Sequence, residues 1–360
     1  VKVAVVLGTR PEIIKMAPVV RELQRQKNDF FVLHTGQHYS YGLDRIFFEQ
    51  LSLPEAKYNL EVGSGSQAEQ TARILIGTEK VLLTENPDIV LVEGDTNSVL
   101  GAALAAVKLH IRVGHVEAGL RSYDRSMPEE INRILTDHCS DLLFAPTNKA
   151  KATLLGEGIP EGKTFVTGNT IVDAVYQNLA IAREKATVLS TLGLKPKGYF
   201  LVTLHRQENV DDRKRFAAIL EGLSRVATEF RTPILYPIHP RSRKMMTHFN
   251  LHPSGLEMAE PVDFLSFLQL ESSARLILTD SGGVQEEACI LGVPCVTLRD
   301  NTERPETLDV GANILAGASP DNIVASAGYM LNKNDSWSNP FGDGTAGEKI
   351  VAITMGGNDG

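Results

Sequence analysis

The sequence predicts an α/β protein of two open parallel-sheet domains with a deep interdomain cleft. Three observations carry that expectation. Short, nearly continuous apolar runs alternate with stretches of helical patterning, which marks strands buried on both faces of a parallel sheet. The runs form two series, parted by a polar stretch around 194–198. At 360 residues the chain is long enough for two cores.

In order, the first series places strands at 3–7, 30–33, 89–92 and 111–116, with helices over 12–27, 67–84 and 98–108. Pro11 follows the first strand and Pro87 precedes the third, both at element boundaries where a proline ring is tolerated. Further strands are expected near 142–145 and 164–167. The second series places strands at 199–204, 233–238, 256–259, 276–279 and 294–298, with helices over 212–230 and 284–291. The expected division is a first domain over 1–170, a connection over 171–197 in which 171–189 reads either as a helix of the first domain or as linker, a second domain over 198–345, and a segment over 346–360 that packs back on the first.

Composition narrows the function. The formal net charge is -8 and no basic stripe is present, so nucleic-acid binding is not expected. A local group of arginines can still oppose that sign for a small anion. Three cysteines, Cys139, Cys289 and Cys295, lack the paired spacing of a disulfide scaffold or a structural zinc site. No apolar run reaches membrane-spanning length, and the chain opens directly on a strand, so no membrane partner and a cytoplasmic location are expected.

In open α/β sheets ligands bind at the carboxyl ends of strands, and the unusual polar residues fall there. Leu276-Ile277-Leu278-Thr279-Asp280-Ser281-Gly282-Gly283-Val284-Gln285-Glu286-Glu287 leaves a strand, turns through small residues and enters a helix, whose unpaired N–H groups suit a phosphate. Carboxylates cannot bind that phosphate, so Glu286 and Glu287 suggest a hydroxylated group beyond it, such as a ribose. A plain helix start with acids at its positive end is the competing reading.

The first strand exits into Gly8-Thr9-Arg10-Pro11-Glu12, with Lys15 a turn later. The glycine triplet of a dinucleotide fingerprint is absent, so a nicotinamide cofactor held in the usual way is disfavoured and no cofactor is expected. Arg10 and Lys15 supply positive charge at a helix start, suited to pyrophosphate oxygens or, more simply, to solvent. Glu93-Gly94-Asp95-Thr96 and His115-Val116-Glu117 end the next strands, followed by Arg121. A carboxylate at the mouth of a buried strand is costly unless bonded or used. Pro128-Glu129-Glu130-Ile131-Asn132-Arg133 opens a helix, with Glu129 and Arg133 spaced for an i,i+4 pair of either surface or active-site character. His205-Arg206-Gln207 and His239-Pro240-Arg241 end strands of the second series, as does the charged loop Arg299–Glu306. No compact metal-ligand spacing appears, and Arg10, Arg121 and Arg133 can neutralise a phosphate, so no metal is expected.

Several carboxylates in one cleft push at least one pKa upward, so one can serve as acid while another serves as base. Acid–base chemistry on a sugar carried by a nucleoside diphosphate fits, whether by glycosyl transfer or by epimerisation; a non-catalytic nucleotide-sugar sensor is the non-enzyme reading. Residue types alone leave these open.

The motifs taken together resemble the non-hydrolysing UDP-N-acetylglucosamine 2-epimerases. The resemblance rests on Leu7-Gly8-Thr9-Arg10-Pro11-Glu12, Gly94-Asp95-Thr96, Gly114-His115-Val116-Glu117-Ala118-Gly119-Leu120-Arg121, Pro128–Arg133, Thr167-Gly168-Asn169-Thr170, His205–Asn209, Asp280–Glu287, Thr302–Glu306 and Asn339-Pro340-Phe341-Gly342-Asp343-Gly344. It runs in order along essentially the whole chain. The resemblance implies a glycosyltransferase-B-like fold of two Rossmann-like domains, a homodimer, and interconversion of UDP-GlcNAc and UDP-ManNAc through loss of UDP to 2-acetamidoglucal and re-addition. It further implies Asp95, Glu117, Glu129 and His205 as the catalytic set. Arg10, His239, Ser281 and Gly282 would meet the diphosphate, with Lys15 beside it. Glu287 would meet the ribose, and Arg133 would position Glu129 or touch the substrate. The chain departs from the commoner patterns at Thr35-Gly36-Gln37-His38-Tyr39, where bacterial relatives read Ala-Gln-His-Arg and help hold a second, activating UDP-GlcNAc. It departs again at Leu204-His205-Arg206-Gln207, where Gly-His-Arg-Arg is commoner.

Overall fold

Apolar runs become strands because their β-branched and aromatic residues pack on both faces of a sheet, and here they do so twice. The computed structural model describes residues 1–37, 41–333 and 336–356, without the side chains of 41–44. His38 and Tyr39 of the departing motif, and 357–360 of the final segment, lie outside the described residues.

The first sheet comprises β1 (Lys2–Leu7), β2 (Asp29–His34), β3 (Tyr58–Asn59), β4 (Ile89–Glu93), β5 (Arg112–Val116), β6 (Leu142–Ala145) and β7 (Thr164–Val166), in the order β3-β2-β1-β4-β5-β6-β7. The second comprises β8 (Phe200–Thr203), β9 (Ile234–Pro237), β10 (Leu256–Ala259), β11 (Leu276–Thr279), β12 (Cys295–Thr297) and β13 (Asn313–Leu315), in the order β10-β9-β8-β11-β12-β13. All the pairings are parallel. Every strand expected from the apolar runs is present to within about two residues, the usual uncertainty of such boundaries. The edge strands β3 and β13 are additions. Each is two or three residues long and half-covered, so neither leaves an apolar run to read.

The chain divides into two compact units, Val1–Gln177 with Phe341–Gly360, and Asn178–Pro340. The stretch after 170, open as helix or linker, forms helix Thr170–Lys185 and a short helix Val188–Thr191. In the first unit, β1, β4 and β5 turn Ala4, Val6, Val90, Val92 and Val113 toward the alanine-rich helix Asn97–Lys108. In the second, alternate residues divide by the period-two rule of a strand. Phe200 and Val202 join the core with helix Arg213–Phe230, while Tyr199 and Leu201 join that of helix Phe264–Ser273.

The end of the chain is built into the first unit. The Asn169 N–H donates to the Phe341 carbonyl at 2.8 Å, and the Ala346 and Gly347 N–H groups donate to the Asp173 carboxylate at 3.2 and 2.9 Å. Those two bonds satisfy the open amino end of helix Ala346–Thr354. That helix lies on helix Arg10–Arg25, and a Cβ at Gly347 would come 3.1 Å from the Pro18 Cβ and backbone carbon.

Each sheet reverses its winding once, between β1 and β4 in the first and between β8 and β11 in the second. A helix after β1 covers one face and a helix after β4 the other, which opens a crevice at their carboxyl ends. Those two points organise the polar residues of each unit.

Candidate active site

At the switch point of the first unit the backbone after β1 runs so close to its neighbours that only glycine fits. A Cβ on Gly8 would fall 1.9 Å from Ser98 Oγ and 2.4 Å from Thr35 Oγ1. The Gly8 N–H donates to Glu12 Oε2 at 2.6 Å and the Thr96 hydroxyl donates to Glu12 Oε1 at 2.6 Å, so Glu12 ties the exit of β1 to that of β4. Burial pushes its carboxyl up to about 7, against the pull of Thr96 and Gly8. Arg10 opens the helix, its guanidinium 5.0 Å from the centroid of the Phe47 ring.

Lys15, one turn further, faces carboxylates. Its Nζ lies 2.6 Å from Glu117 Oε1 and 3.4 Å from Glu93 Oε1. Burial, helped by Glu117 and Glu12 and opposed by Lys15, holds Glu93 well above the usual carboxylate range. Glu117 also accepts from Asn169 Nδ2 at 3.1 Å. It has φ +69°, a left-handed conformation costly for a residue with a Cβ and concentrated at functional sites.

Asp95 follows Gly94, whose φ of +86° makes the turn. Its carboxylate lies 2.6 Å from Arg133 Nη2, and its carbonyl accepts from Asn132 Nδ2 at 2.9 Å. The expected Glu129–Arg133 pair is absent among the described residues. Arg133 instead spans Asp95 and Glu130, with Nη1 2.7 Å from Glu130 Oε2. The reason is the roll of helix Pro128–Cys139: it turns Glu130 inward, where it accepts the Ser122 and Tyr123 N–H groups at 2.9 Å each and pins the loop after Glu117. Burial raises the Glu130 carboxyl, but those N–H groups and Arg133 outweigh it and leave it below its ordinary value. Glu129, beside it, is half-buried and makes no hydrogen bond or ion pair among the described residues.

Arg121 is not a phosphate ligand in this arrangement. Its side chain is 2% exposed and lies 2.7 Å from Asp137 and 2.6 Å from Glu157. Asp137 in turn bonds His115 Nδ1 at 2.6 Å, while His115 Nε2 meets the Gly94 carbonyl at 2.8 Å. Two acceptors face the two ring nitrogens, so the imidazole carries both protons. Burial lowers the His115 pKa, but Asp137 and Gly94 outweigh it and leave it raised. His115 therefore braces the turn that presents Asp95.

The second unit repeats the logic at β8 and β11. Asp280, fully buried at the end of β11, accepts the His205 N–H at 3.1 Å, the Arg206 N–H at 3.0 Å and Asn209 Nδ2 at 3.1 Å. His205 Nδ1 is 3.2 Å from Asp280 Oδ1. Burial raises the Asp280 carboxyl, but His205 and these donors hold it below its usual value. His239 stands 5.6 Å from His205, ring centre to ring centre. Its Nδ1 accepts the Arg241 N–H at 3.2 Å and caps helix Pro240–Phe249, leaving Nε2–H as a donor. Burial and the neighbouring His205 and Arg241 lower its pKa, which keeps that ring neutral.

Ser281 and Gly282 open helix Gly282–Ile290, and no side chain among the described residues caps that end. The two acids that follow differ. Glu286 is buried, with Oε1 2.8 Å from Arg304 Nε. Glu287 is half-buried, with its carboxyl against that of Glu271, a fully buried group that burial and Glu287 hold well above the usual carboxylate range. Among the described residues no three His, Cys, Asp or Glu side chains are grouped as metal ligands.

The structure thus gathers Arg10, Lys15, Asp95, Glu117, Glu129 and Arg133 around the β1–β4–β5 exits, and His205, His239, Ser281, Gly282 and Glu287 around the β8–β11 exits. Sequence reasoning missed Glu12, Glu93, Asp137, Asp280 and Glu271 as working parts. The first, second and fourth stand inside motifs already quoted, where an acid at a buried strand end was the available signal. Asp137 and Glu271 sit in the last turns of their helices and carry none.

Two doubly wound sheets, each presenting its charged groups at its own switch point, define the glycosyltransferase-B-like class of α/β proteins. A family model described as UDP-N-acetylglucosamine 2-epimerase matches residues 21–355. The UDP-N-acetylglucosamine 2-epimerase of Methanocaldococcus jannaschii is 55% identical over 359 residues, covering 98% of each chain. That of Methanococcus maripaludis is 54% identical over 99% of this chain and 98% of its own. The crystal structure of the M. jannaschii protein in complex with UDP-GlcNAc and UDP superposes with a TM-score of 0.86 at 55% identity over 99% of both chains. The chain belongs to the UDP-N-acetylglucosamine 2-epimerase family.

Proposed function

We propose that this chain interconverts UDP-GlcNAc and UDP-ManNAc by eliminating UDP to 2-acetamidoglucal and re-adding it with C2 inverted. The observation that carries the reading is the close pairing of two strand-end acids with cations, Asp95 with Arg133 and Glu117 with Lys15, both at 2.6 Å. The cation fixes the orientation of the carboxylate, as the geometry of proton transfer requires.

The C2 proton of the sugar is weakly acidic, so its removal has to be coupled to departure of the C1 oxygen with the diphosphate. Groups that meet the charge growing on that oxygen lower the barrier. The second unit supplies them: the His239 Nε2–H, the Ser281 hydroxyl with the open amino end of the helix that begins at Gly282, and His205, aligned by Asp280. Arg10 adds positive charge from the first unit, and Glu287 takes the ribose hydroxyls. Asp95, Glu117 and Glu129 serve the sugar, one carboxylate removing the C2 proton and a carboxyl on the other face returning one. Exclusion of water from the glycal keeps the product a nucleotide sugar.

A homodimer and a cytoplasmic setting complete the reading, supported respectively by the family pattern and by three free thiols that suit a reducing compartment. Sedimentation at a mass of two chains tests the former. The activity is tested by following purified protein with UDP-GlcNAc by NMR. The expected outcome is a mixture of the two UDP-sugars, approached from either side. Release of UDP with free ManNAc, or consumption only when a sugar acceptor is added, would replace the reading with hydrolysis or glycosyl transfer.

A further inference from the structure

Three carboxyl groups and one ammonium meet at the exits of β1, β4 and β5: Glu12, Glu93, Glu117 and Lys15. If all three acids were ionised, two negative charges would stand uncompensated among buried side chains, which is costlier than keeping a proton. The donors show where charge is supported. Lys15 is nearer to Glu117 than to Glu93, at 2.6 against 3.4 Å, and Asn169 gives Glu117 a second donor at 3.1 Å. Glu12 has the Gly8 N–H and the Thr96 hydroxyl. Glu93, 2% exposed, receives no backbone or amide hydrogen bond among the described residues, and its carboxyl group lies against that of Glu117.

We propose that Glu93 is a positioning residue for the reaction assigned above: a neutral carboxyl that donates its O–H to Glu117, orients that carboxylate and sets the alkaline limit of activity. The groups facing it are Lys15 and Glu12 from helix Arg10–Arg25 and Glu117 beyond β5, with the His115 imidazolium behind Glu117. Loss of the Glu93 proton at high pH would turn a donor into a repelling anion beside Glu117 and a competitor for Lys15. The inference rests on the epimerase reading, but its charge state is open to measurement without turnover.

Glu93→Gln keeps the shape and a donor, whereas Glu93→Leu keeps the volume alone. Infrared spectra of the whole protein should show a protonated-carboxyl band near neutral pH that is lost in Glu93→Gln. Kinetically, Glu93→Gln should stay within about threefold of the parent kcat at neutral pH and hold its activity further into the alkaline range. Glu93→Leu should lose roughly tenfold or more in kcat with little change in KM, the scale of a hydrogen bond to a charged group. Equal losses in the two variants, an unmoved alkaline limb in Glu93→Gln, or no carboxyl band assignable to Glu93 would overturn the proposal. A parent protein without epimerase activity would instead remove the functional reading, leaving the infrared result to decide the proton.

Discussion

Glu12 shows how a single buried side chain couples the site to pH. Its carboxyl is held at about 7 in the fold against an ordinary value of 4.5, so the folded state binds the proton more tightly than the unfolded chain does. The stability this adds is complete below about 4.5 and is lost as pH rises to about 7, a span of roughly 3 kcal/mol. Glu12→Gln can still accept from Gly8 and bond Thr96, and chemical denaturation across pH 4–8 should show that part of the slope removed. An unchanged slope would mean that the carboxyl is ionised throughout. Asp280 has the opposite sign. Its folded pKa is depressed, so its contribution is present above its ordinary value near 3.8 and is lost as acid carries the pH down through the folded value. Asp280→Asn should cost about 10²-fold in kcat, the low end for a positioned proton-transfer group, because His205 loses its alignment. A change confined to KM would place His205 in binding alone.

At the scale of elements, the sequence was most legible where packing is simplest. Strands such as Ile89–Glu93 announce themselves because both faces are buried, and helix Gln67–Glu85 carries its own capping box between Ser66 and Glu69. The roll of a helix about its axis was less legible. The i,i+4 spacing of Glu129 and Arg133 is real on paper, yet helix Pro128–Cys139 sends Arg133 to Asp95 and Glu130 because the loop at Ser122 and Tyr123 needs an acceptor. That need is tertiary, so no local spacing encodes it. The docking of helix Ala346–Thr354 is likewise a matter of one close approach. Gly347→Val would press a branched side chain onto Pro18, and such overpacking typically costs about 1–3 kcal/mol. A lowered denaturation midpoint with kcat retained at 25 °C is the expected result, and an unchanged midpoint would show that the two helices part easily.

For the whole molecule, two sheets of the same winding put their switch points at β1–β4 and β8–β11, and the strand-end acids, histidines and small residues quoted from the sequence cluster there. That much follows from the alternation of apolar runs and helices, since the winding rule fixes which strand ends form the crevice. The charged scaffolding behind those residues, Glu12, Asp137, Glu271 and Asp280, emerges only when distant segments meet. The proposed division of labour, acids on the first unit and nucleotide on the second, is most directly examined by combining one reaction with one binding measurement. In deuterated water with UDP-GlcNAc, the protein should place deuterium at C2 of the UDP-sugars. Asp95→Asn should abolish that exchange while UDP binding by calorimetry stays within about threefold of the parent, because the change removes one charge outside the nucleotide-holding groups. Formation of UDP-ManNAc without deuterium at C2, or loss of UDP binding together with exchange in Asp95→Asn, would contradict the account.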